Sequence, residues 1–385
     1  MEVLVQEAGL LRGAGHTVEE YTVLPPEQTG LSSARAGLKA VWNLEASREV
    51  GREIERFQPD IVHVHTPFPL LSPAVFRKAS HYGVPTIATQ HSFRYSCIAA
   101  TCHRDGRICE DCVGKRFKYP GVVHRCYHDS TAASGALTLS LALHSSIGTF
   151  SRHVTQFLAL THFAKYLLVR DGIAPGQVTV KPNFVPDPGD QAAPSPTTAE
   201  PYVAFAGRLI DVKGVRTLVR AWPQLRASGL RLKIAGDGDL RPLVEELAAR
   251  DQSVEYLGWL DLPGVTRLMA GARCVVVPSE WYEAGSPLVT LRSLSVGTPV
   301  VVSDLENLCR EVLDDQAGVS FRVGDATSLA AQLDHLLADP VRLDRLREFA
   351  RASYLRRYSP QVNLDMLETV YAEAIAVRDL NRRAR

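Results

Sequence analysis

The 385-residue sequence lacks three features that would each define a class of protein. It contains no run of about 18 uninterrupted apolar residues, and it does not open on a basic and then apolar leader. It also lacks a charge imbalance, because 43 basic and 42 acidic residues give a net charge of +1. Such a chain offers no global attraction for nucleic acid, and we expect no nucleic-acid partner. These absences predict a cytoplasmic protein, with a peripheral contact at the inner membrane face left open.

Cysteine is scarce outside one short segment. Of seven cysteines, only Cys274 and Cys309 lie outside residues 97–126. In a cytosolic chain such a cluster favours metal binding or redox chemistry over structural disulfides. Four thiolates, including the close pair Cys109 and Cys112, could complete a tetrahedral zinc site. The alternative is that the segment carries free buried thiols.

Length and composition predict two globular domains. Hydrophobic residues at 45% and charged residues at 22% are typical of globular proteins, and 385 residues are too many for one core. A stretch rich in proline and glycine, with no apolar period, divides the chain. The predicted organisation is a first domain at 1–185 with a Cys-rich insertion at 93–128, a linker at 186–200, a second domain at 201–358 and a closing helix at 359–385.

Short apolar runs alternate with helical segments in both halves, which predicts parallel sheets wrapped by helices. Two runs of the first half, Pro59–His65 and Val84–His91, end in polar residues. His63 and His65 point to one face near a strand end, where open α/β sheets place ligands. The alternative is that at least one of them is a satisfied core histidine.

Two stretches of the second half, residues 203–214 and 274–304, each combine a short apolar strand, a glycine-bearing turn and a helix. This is how an α/β sheet presents backbone N–H groups and helix N-termini to an anion. We expect the anion to be a nucleotide diphosphate.

Several motifs follow one another in a characteristic order. They are Gly207-Arg208-Leu209 with Lys213-Gly214, Ala235-Gly236-Asp237-Gly238, Leu257-Gly258, Pro278-Ser279-Glu280-Trp281-Tyr282-Glu283 and Gly297-Thr298-Pro299-Val300. Their order resembles the donor half of glycosyltransferase family 4, retaining enzymes that use nucleotide-sugar donors. Weaker similarity continues upstream to the first residue.

The resemblance implies an α/β fold of the GT-B type. Such a fold has two Rossmann-like parallel-sheet domains facing a cleft, and its C-terminal helix crosses back to the first domain. In the family a strand and a glycine-rich loop precede the first helix, whereas here the helix opens the chain. We therefore expect the first domain to lack its N-terminal strand, either through a misplaced start or a clipped chain, or in a natural protein that lost activity.

The resemblance also implies roles for single residues. Arg208 and Lys213 are assigned to the donor diphosphate, Glu283 to hydroxyls of the transferred sugar, and His91 to the donor sugar. The alternatives are a surface pair with Asp211 or a solvated turn for the two basic residues, and an ordinary loop histidine for His91. The remaining predicted donor-binding residues are Gly207, Gly236, Gly285, Ser286, Pro287, Leu288, Val289 and Arg292.

One position departs from the family pattern. The family has two glutamates eight positions apart, the second on the nucleotide ribose. Aligned on residues 287–289, this sequence has Arg292 at the second position and Ala284, one residue after Glu283, at the first. An arginine cannot accept hydrogen bonds from ribose hydroxyls. Arg292 could instead pair with a phosphate, meet a different nucleotide or weaken donor binding.

A subset of the family carries four cysteines like those of the insertion, which makes Cys102 the extra one. The predicted ligands of a structural zinc are therefore Cys97, Cys109, Cys112 and Cys126. Basic and aromatic residues surround the cluster and could form a patch for an anionic acceptor, a polyprenyl-diphosphate lipid or a membrane surface, or simply a solvated face. They are Phe93, Arg94, Tyr95, Arg104, Arg107, Lys115, Arg116, Phe117, Lys118, Tyr119 and Arg125.

The function predicted from this sequence is that of a retaining glycosyltransferase. It would move a sugar from a nucleoside diphosphate sugar to a polysaccharide, a lipid-linked acceptor or a small molecule, and its catalysis would require no cofactor. The alternative is a catalytically silent GT-B homologue that binds nucleotide or a partner protein. An epimerase or a pyridoxal phosphorylase is a third interpretation, but neither a carboxylate base arrangement nor a cofactor lysine can be identified for it.

Overall fold

The computed structural model describes residues 2–24, 30–189, 200–226 and 229–383. The chain divides into two compact units, the first comprising Met1–Pro182 and Leu364–Arg385 and the second Asn183–Asn363. These divisions lie a few residues from the predicted boundaries at 185 and 359. Most of the predicted linker, residues 190–199, lies outside the described residues.

The first unit is built on a four-stranded parallel sheet with the order β1-β2-β5-β6. Its strands are β1 (Val62–Val64), β2 (Thr86–Gln90), β5 (Gln156–Ala159) and β6 (Val178–Val180). A separate antiparallel hairpin, β3 (His103–Arg104) and β4 (Arg107–Ile108), lies inside the Cys-rich insertion. No strand precedes β1 in the described part of the chain, which opens on a helix as the sequence predicts.

Polar side chains cap three helices of the first unit. Thr161 Oγ1 accepts the N–H of Ala164 at 3.1 Å, and Asn43 Oδ1 accepts that of Ala46 at 3.0 Å. Each bond satisfies an N–H group that the helix itself leaves unpaired. The helices are α1 (Glu2–Gly13), α2 (Ser33–Val41), α3 (Leu44–Phe57), α4 (Ala74–His81), α5 (Tyr119–Val123), α6 (Thr131–Ser146), α7 (Thr149–Arg152), α8 (His162–Arg170) and the part of the last helix, α16 (Pro360–Arg383), that follows Asn363.

The core of this unit joins its first and last helices to the sheet. Leu11 of α1 packs with Ile87 of β2 and Leu158 of β5, and α16 adds Leu367 and Val370 to the same cluster. Burying a side chain of this size contributes about 1.5–3 kcal/mol. The end of the chain therefore belongs to the core of the unit that the beginning of the chain forms.

The second unit contains a six-stranded parallel sheet with the order β12-β11-β10-β7-β8-β9. Helices follow its strands in alternation, as the sequence predicts, and three of these helices begin with a capping aspartate. The strands are β7 (Tyr202–Ala206), β8 (Arg231–Ala235), β9 (Val254–Gly258), β10 (Cys274–Val277), β11 (Val300–Ser303) and β12 (Gly318–Phe321). The helices are α9 (Val215–Ala221), α10 (Arg241–Arg250), α11 (Leu262–Ala270), α12 (Leu288–Ser295), α13 (Glu306–Asp314), α14 (Ala326–Leu337) and α15 (Pro340–Arg357).

The strand order places a crevice in the second unit. β7 is the first strand of this unit along the chain, yet it lies in the middle of the sheet between β10 and β8. The strand order reverses at this point, so the loops that follow β7 and β10 leave the carboxyl edge in opposite directions. Open α/β sheets bind their ligands at such a point.

Candidate active site

Two glycines hold the loops of the second unit's crevice together. Gly214 has a φ of +69°, and a Cβ there would lie 1.8 Å from the carbonyl oxygen of Pro278. Gly236 has a φ of +138°, and a Cβ there would lie 1.8 Å from the carbonyl oxygen of Gly207. Only glycine adopts both the conformation and the close approach. The loops after β7, β8 and β10 are therefore packed backbone against backbone.

The carboxylate of Glu283 lies where these loops meet. Its Oε1 accepts hydrogen bonds from Lys213 Nζ, from Trp281 Nε1 at 2.9 Å and from Ser279 Oγ at 3.1 Å. The Glu283 carbonyl accepts the side-chain N–H of Asn307 at 2.7 Å. The Lys213 and Glu283 side chains are only 20% and 14% exposed. The sequence predicted both residues for the site but did not predict that they bind each other.

Arg208 contrasts with this closed pair. It follows β7 directly and is exposed, and no described residue forms a hydrogen bond or an ion pair with its side chain. The predicted alternative was a pair with Asp211, but Asp211 Oδ1 binds Arg216 Nε at 2.5 Å. Arg208 therefore presents its planar fork of N–H donors to solvent.

The predicted phosphate loop leads into helix α12. Residues 285–289 are partly exposed, and Pro287 stands before the helix without a side-chain cap. The first N–H groups of a helix have no partner within it, and they carry the positive end of its dipole. Arg292 lies in the last turn of α12 and is half-buried. Its relation to a nucleotide stays a prediction.

In the first unit, polar residues gather at the carboxyl ends of β1 and β2. His65 Nδ1 lies 2.8 Å from His91 Nε2, and His65 Nε2 lies 3.3 Å from Glu7 Oε1. Glu7 Oε2 binds Lys181 Nζ at 2.9 Å, and these two side chains are 2% and 1% exposed. β1 and β2 are parallel neighbours and each histidine directly follows its strand, so both histidines lie at the same edge of the sheet.

His63 has the partners expected of a core histidine. Its Nδ1 lies 2.7 Å from Tyr371 Oη, and its Nε2 lies 2.7 Å from Thr89 Oγ1. Burial, with a smaller effect of neighbouring His65, places the pKa of His63 well below its ordinary range. Burial and His65 likewise lower the pKa of His91 to about 3. Both imidazoles are therefore neutral near neutral pH.

Glu7, Lys181 and Tyr371 escaped the sequence predictions. Burial alone would raise the pKa of Glu7, but Lys181 and the histidines hold it well below its ordinary value, so Glu7 is ionised. A signal was present, because Glu7 falls at helical spacing on the face of α1 that carries Leu4 and Leu11. An acidic residue on an apolar face indicates a partner inside the fold.

The Cys-rich insertion contains free thiols. A hydrogen bond from Cys102 lowers the pKa of Cys97 to about 6, whereas burial raises the pKa of Cys112 to about 11. Among the described residues, only one group of at least three His, Cys, Asp or Glu has ligand atoms that all lie within 4.8 Å of one another. That group is Glu7, His63 and His65. In this structure the described cysteine sulfurs therefore do not lie close enough together to ligate one tetrahedral ion. The zinc site stays a prediction.

The predicted basic and aromatic patch is partly internal. Lys118 is buried and binds Asp171 at 2.7 Å, and Phe93 and Tyr95 belong to the core. Arg94 binds the carbonyl of Ile98 and lies over the ring of Tyr127. Phe93, Tyr95 and Lys118 are therefore buried away from any ligand, and Arg94 is held within the insertion. Exposed members of the segment are Arg107, Lys115, Arg116, Phe117, Tyr119 and Arg125. Of the helices in the described ranges, none has the length and apolar character to cross a bilayer.

Comparison with known proteins covers both units. Residues 3–187 match the family model described as Glycosyltransferase Family 4, and residues 200–339 match the model described as Glycosyl transferases group 1. A glycogen synthase of Mycobacterium tuberculosis is 25% identical over 350 residues, which is 90% of this chain and 74% of that protein. A phosphatidyl-myo-inositol mannosyltransferase of Mycobacterium leprae is 30% identical over 44% of this chain and 46% of its own length.

Solved structures give the same fold. A glycosyltransferase from Rickettsia africae ESF-5 superposes with a TM-score of 0.69 at 15% identity, covering 97% of this chain and 94% of that one. Anabaena HepE in complex with UDP superposes with a TM-score of 0.64 at 17% identity, covering 94% and 88%. The two parallel-sheet units thus define a glycosyltransferase with the GT-B fold. Within that class, the chain belongs to glycosyltransferase family 4.

Proposed function

We propose that this enzyme is a retaining glycosyltransferase that transfers a sugar from a nucleoside diphosphate sugar to a polysaccharide, a lipid-linked acceptor or a small molecule. The observation that carries the proposal is the state of Arg208. It is an exposed guanidinium without a partner among the described residues, at a strand-order reversal of an α/β sheet. Such a position suits a dianionic group.

The proposed step breaks the bond between the sugar's anomeric carbon and the diphosphate. The acceptor hydroxyl oxygen forms its new bond on the face from which the diphosphate leaves, and its proton passes to a departing phosphate oxygen. Arg208 neutralises the charge that develops on the leaving group, and the N-terminal N–H groups of α12 add to this. These groups act without a metal ion in this proposal.

Glu283 is proposed to hold the transferred sugar. All three side-chain donors that bind its carboxylate use Oε1, and no described residue donates to Oε2. A carboxylate oxygen held in this way accepts sugar hydroxyls without having to be reoriented first. Lys213 then acts mainly by fixing Glu283. His91 of the first unit is proposed to contact the donor sugar, as the family resemblance implies.

A donor screen tests the proposal. UDP-sugars come first, since UDP is bound in the structurally similar Anabaena protein, and GDP-, ADP- and dTDP-sugars follow. We expect one donor to release nucleoside diphosphate, faster when acceptor sugars are added. Arg208→Ala is expected to lower kcat/KM by about 100-fold, and Glu283→Gln by about 10- to 100-fold. Retention predicts, by NMR, a product with the anomeric configuration of the donor.

Arg216→Ala is the matched control, because it removes a neighbouring arginine that already binds Asp211. It should leave kcat/KM within about twofold, the scale of an exposed ion pair. Equal losses in the Arg208 and Arg216 variants would contradict the role of Arg208. If folded wild-type protein neither bound nor turned over any donor, the proposed reaction would be wrong.

We also propose a peripheral contact with anionic membranes through the exposed turn of the insertion. Phe117, Tyr119 and Val123 are 55%, 54% and 68% exposed within seven residues. Lys115, Arg116 and Arg125 lie beside them and are exposed as well. Apolar side chains flanked by basic ones suit insertion into a surface of anionic lipids.

Cosedimentation with phosphatidylglycerol vesicles tests this contact. We expect binding that weakens in phosphatidylcholine vesicles and in the Phe117→Ser/Val123→Ser variant. Val341→Ser is the control, because Val341 is 80% exposed in the second unit, outside the proposed surface. Equal binding of both variants to anionic vesicles would contradict the proposal.

A further inference from the structure

The polar cluster of the first unit is organised around a buried carboxylate. Glu7 projects from α1 and meets Lys181, which follows β6, through Oε2. Its second oxygen, Oε1, is buried without a well-aligned hydrogen bond. Oε1 lies 3.3 Å from His65 Nε2 and 3.4 Å from His63 Nδ1. A buried carboxylate oxygen is costly unless a proton donor faces it.

A metal ion is one possible occupant of this cluster, because Glu7, His63 and His65 supply three ligand atoms within 4.8 Å. The surroundings argue against it. The Lys181 ammonium already neutralises Glu7 at 2.9 Å. His63 would also have to give up a hydroxyl contact, since each of its nitrogens has a hydroxyl at 2.7 Å. The set suits a chain of hydrogen bonds better than a cation.

The polarity of that chain follows from the charge of Glu7. His63 Nδ1 is already paired with Tyr371, so His65 Nε2 is the nitrogen left to face Oε1. A lone pair on this nitrogen would repel the carboxylate, so Nε2 carries the proton. In neutral His65 the other nitrogen, Nδ1, then has no proton and acts as an acceptor.

His91 completes the chain. Its Nε2 lies 2.8 Å from the accepting Nδ1 of His65, so it is the donor of this bond. The two rings are within 12° of coplanar, with centroids 5.1 Å apart, which suits an in-plane N–H···N bond. No described residue bonds to the remaining nitrogen, His91 Nδ1.

We infer that Glu7 and His65 are positioning residues that hold His91 as the neutral tautomer with its proton on Nε2, leaving Nδ1 as an acceptor for a hydroxyl group. The inference rests on the proposed function insofar as that hydroxyl belongs to the donor sugar. Glu7 acts on it only through His65, by facing His65 Nε2 at 3.3 Å, and His65 acts through its hydrogen bond to His91.

The test is ¹⁵N NMR of the full chain labelled at histidine. For wild type we expect a pyrrole-type resonance at His91 Nε2 and a pyridine-type resonance at Nδ1. In Glu7→Gln/Lys181→Met the ion pair is removed as a unit, so no unpaired buried charge remains. The side-chain amide introduced by Glu7→Gln can then donate to His65 Nε2, which reverses the direction of the His65–His91 hydrogen bond and moves the His91 proton to Nδ1. We expect kcat/KM for the donor to fall about tenfold with this reversal, the size of one misdirected hydrogen bond.

Thr89→Val is the matched control, because it removes a hydroxyl from His63 Nε2 and leaves the chain of Glu7, His65 and His91 and the Tyr371 contact in place. Its His91 resonances and its kcat/KM should match those of wild type. A proton on Nδ1 of His91 in the wild-type enzyme would overturn the inference without any variant. An unchanged tautomer in the folded double variant would also overturn it. The spectrum is independent of turnover, so a failure of the proposed reaction would be seen separately in the donor screen.

Discussion

Arg208 of the second unit and Glu7 of the first unit are charged residues in opposite settings. In the second unit Arg208 is exposed and has no partner among the described residues. In the first unit Glu7 and Lys181 are 2% and 1% exposed and bind each other. A charge that faces solvent is available to a ligand, whereas a charge closed inside a core acts only on its neighbours. The comparison separates residues suited to bind phosphate from residues that fix the state of other side chains.

Removing one partner of the buried Glu7–Lys181 ion pair should produce the largest loss of stability. Lys181→Met leaves the Glu7 carboxylate buried without its counter-ion, and we expect a loss of about 3–5 kcal/mol in the stability of the first unit. Hydrogen exchange of the β1 and β2 amides measures this unit by itself.

The double variant Glu7→Gln/Lys181→Met is the comparison for the single one. It removes both charges, so it should lose far less stability than Lys181→Met alone. If the two variants were equally unstable, the loss would come from packing of the lysine stem and not from the unpaired charge.

A smaller effect is expected from Gly214 in the second unit. An alanine there would keep a φ of +69° and would place its Cβ 1.8 Å from the Pro278 carbonyl oxygen, so the loops after β7 and β10 must separate. We expect a loss of about 2–3 kcal/mol and a raised KM for the donor. Chemical denaturation and donor kinetics measure the two effects.

Gly324→Ala separates the two causes. Gly324 has a φ of +71°, but a Cβ there would meet nothing within 4 Å. It therefore measures the conformational cost alone, which we expect to be about 1 kcal/mol with KM unchanged. Similar losses in both variants would show that close approach of the loops contributes little.

The strands were predictable from the sequence where each strand coincides with a single continuous run of apolar residues. β7 and β10 lie at the start of the two predicted stretches, 203–214 and 274–304, because a parallel strand buried on both faces needs a continuous apolar run bounded by turns. Helices α2 and α3 were not predicted. The buried apolar side chains of α3 are only Ala46, Val50 and Ile54, and seven of its 14 residues are charged.

The pairing of site residues was less predictable than their identity. Lys213 and Glu283 were predicted separately from their motifs, but their mutual bond depends on how tightly two loops approach. Glu7 and Lys181 are 174 positions apart and meet only because α1 lies beside the end of β6. No local pattern encodes such a contact, although each charge in an apolar segment marks a residue that needs a partner.

The smallest predicted effect is a pH dependence that belongs to the first unit. Burial lowers the pKa of His91 to about 3 from an ordinary value of 6.5. Below 6.5 the unfolded chain binds a proton that the folded unit does not, so stability falls as the pH drops from 6.5 toward 3. Above pH 5 or so Glu7, with its ordinary value of 4.5, is ionised in both states, so the histidines dominate there.

His91→Gln should reduce the slope of unfolding free energy against pH by up to about 1.4 kcal/mol per unit in that window. Hydrogen exchange of the β2 amides in a urea series at each pH measures the slope. Thr89→Val is the control, because the Thr89 hydroxyl lies 2.7 Å from His63 Nε2 in the wild-type unit but does not itself titrate. If the slope were the same in His91→Gln as in wild type, His91 would already take up its proton in the folded unit. The cluster would then be open to protons from solvent, and the contrast between this cluster and the exposed Arg208 would be wrong.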